Sequence, residues 1–423
     1  MSPRRLPSKR RLRLIAFVVA GAVIAAAIVA RSLAPAIGGA TPRLALALHP
    51  GNTAALLADA MTEFGASEGK AGAQTFPALK ARLAEALASE PLNGSFYSML
   101  GLIADAEGEK ARAAEFMRIA VSLSKRDNVA GAWLMRERFA AGDYAAATEY
   151  AGILLRGGYS IFETVTPILT RMLETSDGAA HVESLVLDNP QWRARYIEQM
   201  LPFVTDPRTP LRLMMAMKGA GADVSADSLR AYLTFLVNLK FYDLAYQTWL
   251  QFLPVAQLED AGFLFNGRFV HEPSSAPFDW KLTTGVGYTA DIAEWPGGGG
   301  DKALQVQFGE GRVETLDVVQ TTVLRPGPYT LRGRYLGSVL GPRGLQWSMK
   351  CRDTWIAVGD GPLVQGAFAD WRPFEWSFRI PEKGCVAQEL RLTLAARSPS
   401  EQFARGTIWF DDLSIRRADT AAQ

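Results

Sequence analysis

The sequence predicts a multidomain chain, α-helical first and β afterwards, with one apolar helix ahead of both. Three observations predict this order. Leu14–Ala30 is a run of seventeen residues without a charge. From residue 45 to 255 the chain is rich in Ala and Leu at helical spacing. From Gly262 onwards it changes to short segments of period two, broken by Gly/Pro turns, and seven of the ten tryptophans lie between Trp280 and Trp409. The expected organisation is a basic tail at 1–13, a transmembrane anchor at 14–33, helical repeats at 45–255 and an antiparallel β-sandwich at 262–417.

The apolar run follows the basic cluster Arg4, Arg5, Lys9, Arg10, Arg11 and Arg13. That asymmetry predicts a cytoplasmic N-terminus and an exported body, hence a single-pass inner-membrane protein facing the periplasm. A cleaved leader is the alternative, with Ala34-Pro35-Ala36 or Gly38-Gly39-Ala40 as small-residue sites. Arg31, directly after the run, favours the anchor. The net charge is +2, yet residues 1–31 hold seven Lys/Arg and no acid, so the body is mildly acidic. Such a body lacks the basic face that nucleic acid requires. The two cysteines, Cys351 and Cys385, are expected to form one disulfide in an oxidising compartment. The three histidines (His49, His181 and His271) are dispersed, which argues against a zinc site, and no cofactor motif is present.

Within the helical region, Tyr97, Leu100, Gly101, Ala104, Gly108, Ala113, Met117 and Ala120 form a pattern of large and small residues. Shifted by 34 residues it recurs: Leu100 maps to Leu134, Gly108 to Gly142, Ala113 to Ala147 and Ala120 to Leu154. Small residues at the crossings let antiparallel helices approach, and the next pair covers the apolar face left over. This resembles the tetratricopeptide repeat, which implies a solenoid whose concave surface holds a protein or peptide partner. A stretched copy precedes it, with Phe76–Ser89 as second helix, and a later copy spans Ser228–Lys240 and Asp243–Leu253. Between Gly157 and Ala226 helices continue without a legible register.

In the β region, Ala303–Phe308, Thr315–Leu324, Tyr329–Tyr335, Leu345–Cys351, Phe374–Ile380, Glu389–Ala395 and Thr407–Ile415 read as strands. The phrases Asn266-Gly267-Arg268-Phe269, Arg325-Pro326-Gly327-Pro328-Tyr329-Thr330-Leu331 and Trp409-Phe410-Asp411-Asp412-Leu413 open, enter and close the domain. Together they resemble the jelly-roll carbohydrate-binding modules of polysaccharide-active enzymes. The resemblance implies a jelly roll that contacts polysaccharide. Those modules carry an acidic residue, associated with structural calcium, where Val270 stands here, which argues against a metal.

Alternation places Trp347 with Leu345 and Met349, and Trp376 with Phe374 and Phe378, on core-facing sides. Trp280, Trp295 and Trp355 fall in loops and are the candidates for stacking on a sugar ring through their indole faces. The acids Asp279, Asp291, Glu294, Asp353 and Asp370 select no catalytic pair by spacing, and no hydrolase or nucleotide-binding motif occurs. The expectation is a non-catalytic, membrane-anchored scaffold whose repeats hold a protein and whose sandwich contacts polysaccharide, as in exopolysaccharide or surface-glycan assembly. The alternatives are an assembly factor whose sandwich binds no sugar and, third, a glycan-active enzyme.

Overall fold

The computed structural model describes residues 39–66, 76–158, 161–188 and 190–418, with isolated helical positions between 17 and 32. The expected anchor at 14–33 lies largely outside the described residues. Among those described, no helix is long and apolar enough to cross a membrane. The chain divides into two compact units, Met1–Leu185 and Val186–Gln423.

The first unit is built of helix pairs. Its helices are α1 Pro42–Leu48, α2 Thr53–Gly65, α3 Pro77–Ser89, α4 Gly94–Ala106, α5 Lys110–Leu123, α6 Asn128–Ala140, α7 Tyr144–Leu155, α8 Phe162–Leu173 and most of α9 Ser176–Leu187. The pairs α4/α5 and α6/α7 repeat at an offset of 34 residues, since Gly94 and Lys110 correspond to Asn128 and Tyr144. Local chemistry sets these starts. The side chains of Asn93, Asp127 and Asp143 accept from the exposed N–H groups of the first turns of α4, α6 and α7. Gly108 and Gly142 take positive φ, 84° and 76°, at the two tight turns. Gly101 has no room for a side chain: a Cβ there would lie 2.8 Å from the methyl of Met117, so α4 and α5 cross closely.

A buried acid ties α2 to α3. Asp59 accepts from Arg82 at 2.6 Å and from Arg43 at 3.2 Å. The Arg82 hydrogen bond holds the Asp59 carboxyl below its ordinary value, against the opposing effect of burial. A carboxyl depressed in the folded state stabilises above its unfolded pKa, and the gain is lost as pH falls through the folded value. The first unit is therefore expected to lose helical stability below about pH 4. Asp59→Asn should lower stability at pH 7 and flatten that acid limb, read as the helical melting temperature against pH. An unchanged acid limb in the variant would refute the assignment.

The second unit carries α10 Pro190–Met200, α11 Thr209–Gly219, α12 Ala226–Asn238 and α13 Tyr242–Phe252, then the strands. The strands are β1 Lys281–Leu282, β2 Tyr288–Glu294, β3 Lys302–Phe308, β4 Val318–Thr322, β5 Gly327–Val339, β6 Leu345–Cys351, β7 Ala357–Asp360, β8 Gly366–Ile380, β9 Gln388–Leu394 and β10 Gly406–Arg417. They form two five-stranded antiparallel sheets, β1-β4-β9-β6-β7 and β2-β3-β10-β5-β8. The strand expected over Thr315–Leu324 is confined to β4, while β2 and β7 arise where the alternation is weak. The last helices belong with the sandwich because aromatic rings join them. Trp249 of α13 lies 5.0 Å from Phe265 edge-on and 5.8 Å from Phe278, and Tyr246 lies 5.3 Å from Phe278.

Between the sheets the core is aromatic. Trp347 of β6 meets Phe410 of β10 edge-on at 5.5 Å, and Trp280 at 5.7 Å. The opening and closing phrases meet as well. Gly267 lies so close to Leu413 that a Cβ would stand 1.9 Å from its carbonyl oxygen, and Leu413 N–H donates to the Gly267 carbonyl at 2.8 Å. Asn266 closes the adjoining loop by exchanging two side-chain hydrogen bonds with the His271 backbone, at 2.7 and 3.1 Å. The disulfide forms between Cys351 and Cys385, which are 34 residues apart.

Candidate functional site

The outer faces of the two sheets differ in chemistry. On the first sheet Arg391 pairs with Glu389 at 2.9 Å and Asp317 at 2.8 Å, Arg352 pairs with Glu389 at 3.0 Å, and Lys281 with Asp317 at 3.2 Å. That face is occupied by its own ion pairs. The second sheet has ion pairs too, Arg332 with Glu375 at 3.0 Å and Arg334 with Asp411 and Asp412, but it adds indole rings and amides.

Alternation builds this second face. Ile408 and Phe410 of β10 point into the core, so Trp409 and Asp411 point out. Register then places Trp409 between Leu336 of β5 and Gln305 of β3, and Asp411 opposite Arg334. Gln305 stands in turn opposite Asp291 of β2. In β8 the residues Phe374, Trp376, Phe378 and Ile380 are buried, which leaves Trp371 on the outer side. The Arg334 guanidinium lies 4.6 Å from the centre of the Trp371 ring, a cation–π distance. Asp411 at 2.5 Å and Asp412 at 2.9 Å fix that guanidinium in turn. Burial pushes the Asp411 carboxyl up, with the Arg334 hydrogen bond opposing it. Trp295 completes the group, edge-on to Trp371 at 5.4 Å.

Trp371, Trp409 and Trp295 are each half-buried. The indole N–H groups of Trp371 and Trp409 are shut away from solvent, so what those two rings offer outward is carbon. Ring carbon framed by the exposed side chains of Gln307 and Asp291 and the half-buried Gln305 can pack on an apolar C–H surface while amide and carboxylate meet hydroxyl groups.

The three loop candidates separate. Trp280 is fully buried against Phe269 and Trp347, and its N–H donates to the Asn266 carbonyl at 3.1 Å. It is a core residue and cannot stack on a ligand, a correction to the loop reading: the segment before β1 folds inward. Trp295 sits on the aromatic face. Trp355 is 57 % exposed but belongs to a different place, the loop closed by the disulfide. Trp371 and Trp409 are not loop residues, and the signal that finds them is the alternation of β8 and β10.

The acids do not converge. Asp279 is buried and accepts from Ser274 N–H and Oγ, each at 2.7 Å, while Asp353 accepts from Tyr242 at 3.1 Å and Asp291 from the Ile292 N–H at 2.8 Å. Val270, in the position discussed for calcium, is 55 % exposed. Among the described residues no three His, Cys, Asp or Glu side chains gather as metal ligands.

No protein-family model matches the chain, and no curated protein is significantly similar to it. Among solved structures it is similar to a CBM4 structure, at 17 % identity over 37 % of this chain and 99 % of that one, with a TM-score of 0.29. It is also similar to the CBM22-1 xylan-binding domain of Paenibacillus barcinonensis Xyn10C, at 13 % identity over 37 % and 94 %, TM-score 0.27. A third is TmCBM61 in complex with β-1,4-galactotriose, at 13 % identity over 37 % and 98 %, TM-score 0.25. Similarity of this degree does not specify a ligand.

Proposed function

We propose that this chain is a non-catalytic binding protein of a bacterial envelope. Residues 14–33 anchor it in the inner membrane with the body in the periplasm. Its helix pairs form a tetratricopeptide-type solenoid that holds a protein partner. The outer face of the second sheet contacts polysaccharide, in exopolysaccharide or cell-surface glycan assembly. One observation carries the sugar reading: Trp409, Trp371 and Trp295 share the outer face of the second sheet, beside the polar side chains Gln305, Gln307 and Asp291. The 34-residue offset of the helix pairs supports the solenoid. The engaged states of Asp279 and Asp353 support a binding role over hydrolysis.

The test is affinity electrophoresis of the full, oxidised chain through gels of soluble polysaccharides. Trp371→Ala and Trp409→Ala are each expected to weaken retardation about tenfold, the loss of one stacking platform of about 1.4 kcal/mol. Trp355→Ala should leave it unchanged. A folded chain that migrates alike in every polysaccharide gel would discard the sugar reading and leave protein assembly.

A further inference from the structure

The outer face of the second sheet changes charge along its length. At the tryptophan end stand Gln305, Gln307 and the exposed acids Asp291 and Glu294. In the middle the charges are matched: Arg332 pairs with Glu375 at 3.0 Å, and Arg334 with Asp411 and Asp412. The far end, where β5 begins, is different. Register sets Thr330 of β5 between Arg416 of β10 and Ser377 of β8, and Pro328 opposite Arg379. Ile415 of β10 and Phe378 and Ile380 of β8 are buried, so Arg416, Ser377 and Arg379 point outward.

Arg379 and Arg416 are exposed, and among the described residues neither side chain has an ion pair or a hydrogen bond. Their cross-strand neighbours explain this, since a hydroxyl and a proline stand where Arg332 meets Glu375. Hydroxyls lie between the two guanidinium arms: Thr330 Oγ1 and Ser377 Oγ are 3.1 Å apart. Exposed Arg417 joins them at the rim, its guanidinium donating to the Pro326 carbonyl at 3.4 Å, and exposed Arg325 precedes the same strand. Three acids belong to this end. Glu375 is already paired with Arg332, exposed Glu382 has Lys383 beside it in the chain, and Asp419 lies outside the described residues. Arg325, Arg379, Arg416 and Arg417 thus outweigh Glu382 and Asp419.

We propose that the polysaccharide on this face is acidic, and that Arg379 and Arg416 take the carboxylate of a uronic-acid unit. The inference rests on the sugar reading above and adds the charge of the polymer. A guanidinium matches a carboxylate through parallel N–H···O bonds, and the Thr330 and Ser377 hydroxyls can meet ring hydroxyls beside it. The same strands carry both ends of the site, Trp409 and Arg416 on β10 and Trp371 and Arg379 on β8. At about 3.3 Å per residue these ends lie on the order of 25 Å apart along β8, a span for several sugar units. Asp291 and Glu294 would repel a carboxylate at the tryptophan end, so uncharged units belong there. The polymer that fits alternates acidic and neutral sugars.

The full, oxidised chain is titrated calorimetrically with hyaluronate and with deacylated gellan, whose uronates are separated by neutral units. Each polymer is also used after its carboxyl groups have been reduced to alcohols. At least one acidic polymer is expected to bind about tenfold more tightly than its reduced form, the worth of a charge-assisted contact. Arg379→Gln combined with Arg416→Gln should lose that preference, with an unchanged near-ultraviolet spectrum and unchanged binding of the reduced form. Trp371→Ala should weaken both forms alike. Equal binding of acidic and reduced polymers by the parent overturns the proposal and leaves the sugar reading intact. A double variant that keeps the preference also overturns it, and assigns the preference to the basic cluster at 4–13. If the folded parent binds none of these polymers the proposal falls as well, while the polysaccharide-gel series decides the sugar reading separately.

Discussion

Trp280→Ala is expected to remove about 3–5 kcal/mol from the Val186–Gln423 unit, the range for deleting a large buried aromatic. Trp280 has no exposed surface, packs on Phe269 at 5.5 Å and Trp347 at 5.7 Å, and donates its N–H to the Asn266 carbonyl. Truncation would leave a cavity between the sheets and remove one of the two hydrogen bonds on the Asn266 carbonyl, which still accepts from the Phe269 N–H at 3.1 Å. It would also loosen the loop that brings Gly267 onto Leu413, because that loop is closed over the indole. Trp355→Ala, by contrast, should change stability by less than about 0.5 kcal/mol, as an exposed substitution does. Urea unfolding followed by near-ultraviolet circular dichroism separates the two, since most tryptophans lie in this unit. Equal stabilities for both variants would show that Trp280 is not the core residue described.

The contrast shows where the sequence was legible. Strands with strong alternation could be read outright: β6 runs over Leu345–Cys351 as expected, with Trp347 turned inward beside Met349. Segments without periodicity could not. Trp280 precedes a strand of two residues, so its burial depends on the distant Asn266 and Trp347. β2 escaped because Thr289, Ala290 and Ala293 blur the contrast between its faces.

The aromatic face was half legible. Period two places Trp409 opposite Phe410 and Trp371 opposite Phe374, but whether an outward tryptophan meets solvent or a neighbouring element depends on the partner strands. The Arg334 contact with Trp371 and Asp411 joins three strand regions far apart in sequence, and no local pattern announces it. In the helices, the turn glycines and the residues at the helix crossings, such as Ala113 and Ala147, gave the 34-residue offset of α4/α5 and α6/α7. The inclusion of α13 with the sandwich followed from ring contacts of Trp249 instead.

Reduction of the Cys351–Cys385 disulfide is expected to cost the same unit about 4 kcal/mol, from the loop entropy returned to the unfolded chain. The bridge closes a separation of 34 residues, which includes β7 and the long edge strand β8. Those strands pair locally with β6 and β5, so the folded sandwich keeps its ladders without the bond while the unfolded chain gains freedom. The buried Gln388 side chain should persist too, since it bonds the Cys385 carbonyl at 2.7 Å and accepts from the Leu324 N–H at 2.8 Å. The expected signature is thus a native-like fold with a transition lowered by on the order of 10 °C, confined to the tryptophan-rich unit. Cys351→Ser combined with Cys385→Ser, and the parent in reductant, should show the same shift while the helical melt of Met1–Leu185 stays in place. A shift under about 1 °C would mean that the unfolded chain already keeps this loop closed, and would remove the entropic account.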